Sequence, residues 1–555
     1  MAFVVSFSSV YSVSSVVKKN ERVVIVLAAC LSVAAFLWHF HHGNILLDGD
    51  AVAHISLARR VFDSKTPGLL QLGTVWLPLL HLLIMPFVVS DWSWRTGVGG
   101  SIPSMVAYVF AVLGIFRLVT RASARSDQDA NPTWPGYLAA LIFAVNPNLL
   151  YLQSTAMTEA LYLALFIWAI VYFAEFADES SVPSGRNRAL RNCGLCLAAG
   201  MATRYDGWFA AGVMACAAVA VTWRRAAERA PEAVEKRDVT PVTRPLHSIA
   251  KFIGIVAAVP AFWLAYNGVV FGNPLDFVLG PYSARAIAQR GYQSWGLHPP
   301  GYHNLRTATL YFLQSVQLDM GHGRWGKVWL AIAAAGVVLL LVRARRWWAW
   351  LLLWIPLVFY ALSIAYAGAT IHVPVWWPFS YYNVRYGLQL LPAVAVFSAV
   401  FVRELRWRWV AAVVLVAVLG VSCVTIWRTP ICLVEARVNS RSRIELESKL
   451  AEVLKKLPRE ATILMYTGAH VGALQDADIP FHRVIYEGNH RDWRHALARY
   501  GLWEEALQDP ARYADYAVGF DDDEVTISAK KHGLRTIAEI NVPGQARAAV
   551  YATGR

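Results

Sequence analysis

The chain has 555 residues, of which 57% are hydrophobic and only 16% charged, with a net charge of +14. A soluble protein carries about a quarter charged residues, so an ordinary globular fold is excluded. No basic face on a soluble domain points to a nucleic-acid partner.

Apolar runs such as residues 331–342 and 409–427 approach the ~20 residues that cross a bilayer core. They predict a polytopic α-helical membrane protein. In chain order, spans are expected near residues 23–40, 101–120, 136–152, 159–177, 189–203, 207–223, 250–271, 327–342, 347–369, 384–402 and 409–427, about 11 in all. The first is long enough to remain as a span rather than act as a cleaved signal. Positive charge gathers in alternate connections: Lys18, Lys19 and Arg22; Arg117, Arg121 and Arg125; Arg186, Arg188 and Arg191; Arg224 to Lys251; Arg343, Arg345 and Arg346; Arg403, Arg406 and Arg408. By the positive-inside rule these face the cytoplasm, which puts the N-terminus inside and the C-terminus outside. Residues 189–223 have basic flanks at both ends, so they cross twice, with Arg204-Tyr205-Asp206-Gly207 turning at the outer face.

Two long external loops follow from this topology, near residues 41–100 and 272–326. Loops of that length are usually functional. After residue 430 charges appear throughout. A helix over 440–457, strands over 461–467, 483–487, 535–541 and 548–552, and helices near 491–507 and 523–533 predict a small extracytoplasmic α/β domain. The expected organisation is a membrane module over 1–430 and this domain over 431–555.

Leu46-Leu47-Asp48-Gly49-Asp50 leads into Ala51-Val52-Ala53-His54 just outside the first span. Carboxylates at a membrane face are costly to desolvate and mark functional sites. A helix starting at Asp50 would carry His54 one turn along on the same face. Asp50 then serves either as its N-cap or as a general base on an acceptor hydroxyl or amine, with Asp48 beside it. Glu159 opens a span at the outer face, where the helix dipole also favours an acid. Arg385 and Arg204 are the external arginines nearest to spans, and arginine offers a permanently charged fork for phosphate. Arg285, Arg290, Arg306 and Arg324 read as solvated surface.

Other signals carry less. Gly321-His322-Gly323-Arg324-Trp325-Gly326 spells a dinucleotide motif but precedes a span rather than opening a strand–helix unit. His39, His41 and His42 stand near Asp48 and Asp50; a divalent cation stays open as a cofactor, with no residue assigned as its ligand. The six cysteines include Cys193-x-x-Cys196, without the second pair that a zinc or redox site needs. Lying mostly in apolar segments, they read as small buried hydrophobes. Trp347, Trp348, Trp376 and Trp377 read as interface anchors.

The Asp50…His54…Ala58-Arg59 spacing resembles the catalytic loop of the GT-C glycosyltransferases, nearest to the protein O-mannosyltransferases and the lipid A aminoarabinose transferases. Those enzymes carry Asp-Glu with a Tyr three residues beyond, where this chain has Asp50, Ala51 and His54. Trp76-Leu77-Pro78-Leu79-Leu80-His81, Asn146-Pro147 with Thr158-Glu159, Ala202 to Gly207 and Tyr381-Tyr382-Asn383-Val384-Arg385-Tyr386 resemble later family segments in the same order. The resemblance implies a GT-C fold and transfer, with inversion, of a sugar from a polyprenyl-phosphate donor to a lipid, glycan or protein acceptor, at the outer face of a bacterial-type inner membrane. It implies Asp50 as base with Asp48 alongside, Glu159 as organiser, and His54, Arg204, Tyr205, Asp206, Tyr382 and Arg385 around the substrates. A transporter or lipid flippase is the alternative. Transporters place ionisable groups near the bilayer midplane, often in repeated halves, whereas these acids gather at one face.

Overall fold

The computed structural model describes residues 15–123, 133–179, 182–235, 240–280, 283–343, 345–490 and 500–555. Among them, nine helices are long and apolar enough to cross a membrane: Lys19–His41, Val98–Arg121, Glu159–Ala177, Asp206–Glu228, Leu246–Phe271, Arg324–Arg343, Trp347–Ala367, Val384–Glu404 and Arg408–Leu454. The remaining two expected spans take other forms. Residues 136–152 break into Trp134–Ala144 and Pro147–Leu152, because Asn146 caps the second helix, its side chain accepting from the amides of Asn148 and Leu149. Residues 189–203 belong to the helix Pro183–Met201, whose opening turns carry Arg186, Arg188 and Arg191.

Burial tells which helices are central. The Val384–Glu404 window is 83% buried, against 11% for Leu246–Phe271, so the first runs through the middle and the second lies at the rim. The central helix meets Arg324–Arg343 where Gly336 lies against the carbonyl of Phe397; a Cβ there would come within 2.0 Å of that oxygen. Small residues let backbones approach closely in membranes, where packing replaces the hydrophobic drive. Cys193 and Cys432 are buried, but Cys30 and Cys216 are exposed on their spans rather than buried as expected. Lipid would cover such surfaces.

Between the first two spans the chain folds back as short helices, including Gly49–Arg60, Leu79–Ile84 and Asp91–Thr96. At the other end, Arg408–Arg428 breaks at Thr429-Pro430, and the helix Ile431–Leu454 continues into the C-terminal unit. It begins nine residues before the expected start. Its first turns pack on Pro147–Leu152 and on residues 384–390.

The C-terminal sheet has five strands, β1 (Ile463–Met465), β2 (Val484–Ile485), β3 (Tyr516–Phe520), β4 (Arg535–Ile540) and β5 (Ala548–Ala552), in the order β2-β1-β3-β5-β4. β1 pairs parallel with β2 and β3, and β5 pairs antiparallel with β3 and β4. The sequence reading assigns no strand to β3. That central strand is buried on both faces, so it lacks the alternation that exposes an edge strand. Of the helix expected over 491–507, residues 491–499 lie outside the described residues and Leu502–Gln508 is helical.

Candidate active site

Asp48, not Asp50, caps the helix Gly49–Arg60: its side chain accepts the amide of Asp50 at 2.9 Å. This corrects the expected helix start and frees the Asp50 carboxylate from capping. Asp50 instead accepts from Nη2 of Arg385 at 2.6 Å. The side chain of Asp50 is 42% exposed and that of Asp48 13%, so Asp50 is the acid an incoming molecule can reach.

Arg385 gathers four carboxylates from three elements. Nε meets Glu159 at 3.2 Å, and Nη1 lies 3.6 Å from both Asp48 and Glu435. Glu435 holds the arginine's own backbone. Its two oxygens accept the amides of Asn383 at 2.6 Å and Val384 at 2.9 Å, at the start of the turn that carries Arg385. A carboxylate on free amides at a helix start is doubly favoured, by hydrogen bonding and by the dipole.

Arg204 forms a second centre on the far side of Glu159. It donates to Glu159 at 3.1 Å, to the Thr158 hydroxyl at 2.8 Å, to Asp206 at 3.2 Å and to the Tyr360 hydroxyl at 3.0 Å. Tyr360 in turn donates to Asp206 at 3.0 Å. The Tyr386 ring lies between the two guanidinium groups, 5.1 Å from Arg204 and 5.5 Å from Arg385. Glu159 is shared by both arginines through Oε1, while its buried Oε2 has no hydrogen-bond partner.

Five acids therefore face two arginines, and burial shifts their balance. Burial pushes the Asp48 carboxyl up to about 6, helped by the charges of Asp50 and Glu159 and opposed by Arg385 and the Asp50 amide. His54 is buried beneath this cluster. Its Nδ1 sits 2.9 Å from Nε2 of His81, and its ring packs 4.6 Å from Trp76. Burial, reinforced by Arg385 and Arg204, lowers His54 to about 3, so it is neutral near pH 7.

Of the expected site residues, Asp48, Asp50, Glu159, Arg204, Asp206 and Arg385 come together, and His54 lies under them. Tyr382 stands at the edge, 39% exposed, its backbone joined to His372 by an isolated antiparallel bridge. Tyr205 points elsewhere: its hydroxyl donates to the carbonyl of Val75 and its ring stacks on Phe277. Glu435 and Tyr360 were missed. A lone acid in Ile431-Cys432-Leu433-Val434-Glu435 was a readable signal for the first; nothing marks Tyr360 within an apolar helix. Among the described residues no group of three or more His, Cys, Asp and Glu is arranged to hold a metal ion. His39 bonds Asn44 and His42 bonds the carbonyl of Trp38.

The architecture is shared with solved membrane proteins. ArnT from Cupriavidus metallidurans bound to undecaprenyl phosphate aligns with a TM-score of 0.55 over 95% of this chain and 98% of that one, at 12% identity. Its apo state gives 0.55 over 94% and 97%, at 13% identity. The archaeal oligosaccharyltransferase AglB from Archaeoglobus fulgidus, in complex with an inhibitory peptide and a dolichol-phosphate, gives 0.46 over 98% and 75%, at 13% identity. No protein-family model and no curated protein matches the sequence. At such identities the likeness is one of fold: the chain is a polytopic membrane protein that shares the fold of ArnT, with a small C-terminal α/β unit.

Proposed function

We propose that the protein is a glycosyltransferase that moves a sugar from a polyprenyl-phosphate carrier to a hydroxyl or amine at the outer face of the inner membrane. The observation that supports this most is the pairing of an accessible acid, Asp50, with Nη2 of an arginine whose Nε bonds buried Glu159 and whose Nη1 lies 3.6 Å from Asp48 and Glu435. The GT-C fold and the undecaprenyl phosphate bound to ArnT agree with it. In this reading residues 1–430 form the catalytic membrane module and 431–555 an extracytoplasmic domain, with the N-terminus inside.

The chemistry follows from which bond of Arg385 is free to exchange. A donor phosphate taking the place of Asp50 on Nη2 gains a charge-assisted hydrogen bond and releases the Asp50 carboxylate. Asp50 then accepts the proton of the acceptor as its oxygen or nitrogen attacks the anomeric carbon. The bond from that carbon to the phosphate oxygen breaks, and polyprenyl phosphate leaves with the electron pair, held by Arg385. One direct displacement inverts the anomeric centre. Glu159 joins the two arginines and keeps Arg385 aligned, and Arg204, Asp206 and Tyr382 line the approach.

The test is donor turnover by the purified protein in lipid nanodiscs. A series of polyprenyl-phosphate sugars is supplied with an envelope extract as acceptor, and free polyprenyl phosphate is measured by mass spectrometry. One donor should be consumed only when acceptor is present. Failure with every donor, together with an inactive alkaline phosphatase fusion after residue 435, would sink the reading.

A further inference from the structure

A groove of about 450 Å³ opens away from the arginine cluster, where Asp91–Thr96, the far end of Ile431–Leu454 and Gly472–Ala477 meet. Its volume lies in the range of small-ligand sites, ~300–1,000 Å³. Trp92, Arg95, Glu452, Lys455, Gln475 and Asp476 line it. The Trp92 indole is 59% exposed, while the wall behind it is fixed. Arg95 pairs with Asp478 at 2.8 Å and donates to the carbonyl of Gln475 at 3.1 Å, and Gln475 donates to the carbonyl of Trp94 at 3.2 Å. The groove is therefore stitched from two separate parts of the chain.

Its chemistry narrows the ligand. Two acids and two bases leave no net charge to select an ion of one sign. Four ionisable groups around one indole are a poor surface for a lipid tail, since each would lose its hydration. A flat amphipathic ring beside carboxylate, amide and cationic groups suits a neutral polyhydroxyl molecule. The ring stacks on its C–H face, while carboxylates accept from its hydroxyls and amide and guanidinium groups donate to them.

The location says how the ligand relates to the cluster. Glu435 and Glu452 are on one helix, Ile431–Leu454, and 17 residues at ~1.5 Å each separate them by about 25 Å. We propose that this groove binds a neutral oligosaccharide through Trp92, as a segment of the acceptor several sugars from its reacting end. The acceptor role rests on the glycosyl-transfer reading above; binding in the groove does not.

The experiment is saturation-transfer NMR and calorimetry on the full-length protein in nanodiscs, without donor. The probes are linear gluco-, manno-, galacto- and arabino-oligosaccharides of two to six sugars. At least one series is expected to bind, with affinity falling ~10-fold or more in Trp92→Ala and largely retained in Trp92→Phe. Trp407→Ala removes an indole that is 73% exposed and outside the groove, and should leave binding unchanged. Equal melting temperatures guard against loss of fold. If no probe binds, if Trp92→Ala binds as wild type, or if only anionic phospholipid vesicles compete for Trp92, the proposal is overturned. Trp92-dependent binding in a protein that transfers no sugar would retain the groove and discard the transfer reading. Transfer that depends on Asp50, with binding that ignores Trp92, would do the reverse.

Discussion

The helix Gly49–Arg60 is charged at both ends, and its two ends behave differently. At its start, Asp48 and Asp50 join a cluster in which five acids share two arginines, Asp50 is 42% exposed and one oxygen of Glu159 has no partner. At its end, all three guanidinium nitrogens of Arg59 are engaged. They donate to Asp63 at 2.8 Å, to the carbonyls of Val88 at 2.8 Å and Val89 at 2.5 Å, and to Asp91 at 2.5 Å. Asp63 in turn takes the backbone amides of Phe481 and His482 and the His482 ring at 2.7 Å. Arg60 reaches Thr467, with its guanidinium 4.5 Å from the Tyr486 ring. A saturated arginine holds two parts of a fold together, whereas an unsaturated cluster retains bonds that a substrate can exchange. The first is a latch to the C-terminal unit and the second the candidate site.

The sharpest way to break this comparison is Asp50→Asn, which keeps the size and removes the basicity. Transfer should fall by ~10²- to 10⁴-fold, with expression and melting unchanged; full activity would move the base to Glu159. Arg385→Lys keeps the charge but loses the fork. Transfer should drop about 10²-fold, the scale of losing one oriented donor, while Arg290→Lys in the second long loop should be near neutral. Arg59→Ala acts on the latch. Leaving Asp63 buried with fewer partners should cost about 3 kcal/mol, seen as earlier thermal unfolding, while the protein that remains folded transfers at close to the normal rate. A collapse of turnover without loss of stability would make the latch part of the site.

The smallest expected effect concerns Asp48 and separates the two ends by pH. Burial raises Asp48 to about 6, above its value in the unfolded chain. Its ionisation therefore destabilises the fold above pH 6, and that penalty is relieved as pH falls from 6 towards 3.8. Burial also works against the Asp63 carboxylate, but Arg59 and His482 outweigh it and hold its pKa below the usual value. Its contribution to stability is present above ~3.9 and is lost only as pH falls through its lowered folded pKa. Turnover should thus fall along an acid limb near pH 6 while the latch holds and the melting temperature does not fall. Asp48→Asn should remove that limb at a cost of ~10-fold in rate. A stability loss that tracks the activity loss near pH 6 would contradict the assignment.

Much of the site was legible because charge is conspicuous in an apolar chain. Asp48, Asp50, Glu159, Arg204 and Arg385 stand at the ends of apolar runs, where only function or pairing offsets desolvation, and all five meet in the structure. Their partition among roles was not legible. Capping is decided by local backbone geometry, so the sequence offered Asp50 as the cap, whereas the helix start at Gly49 gives that role to Asp48. Tyr205 shares its turn with Arg204 and Asp206 but turns its ring to Phe277, a choice made by neighbours more than 70 residues away.

Composition and hydropathy thus determined that the chain crosses a membrane many times and carries a C-terminal α/β unit, since bilayer thickness and strand propensity act along the local sequence. Tertiary structure decided which acids share Arg385, that Glu435 anchors its backbone, and that β3 is the centre of the sheet. Those outcomes depend on burial and on distances between segments up to hundreds of residues apart, quantities that no local pattern encodes.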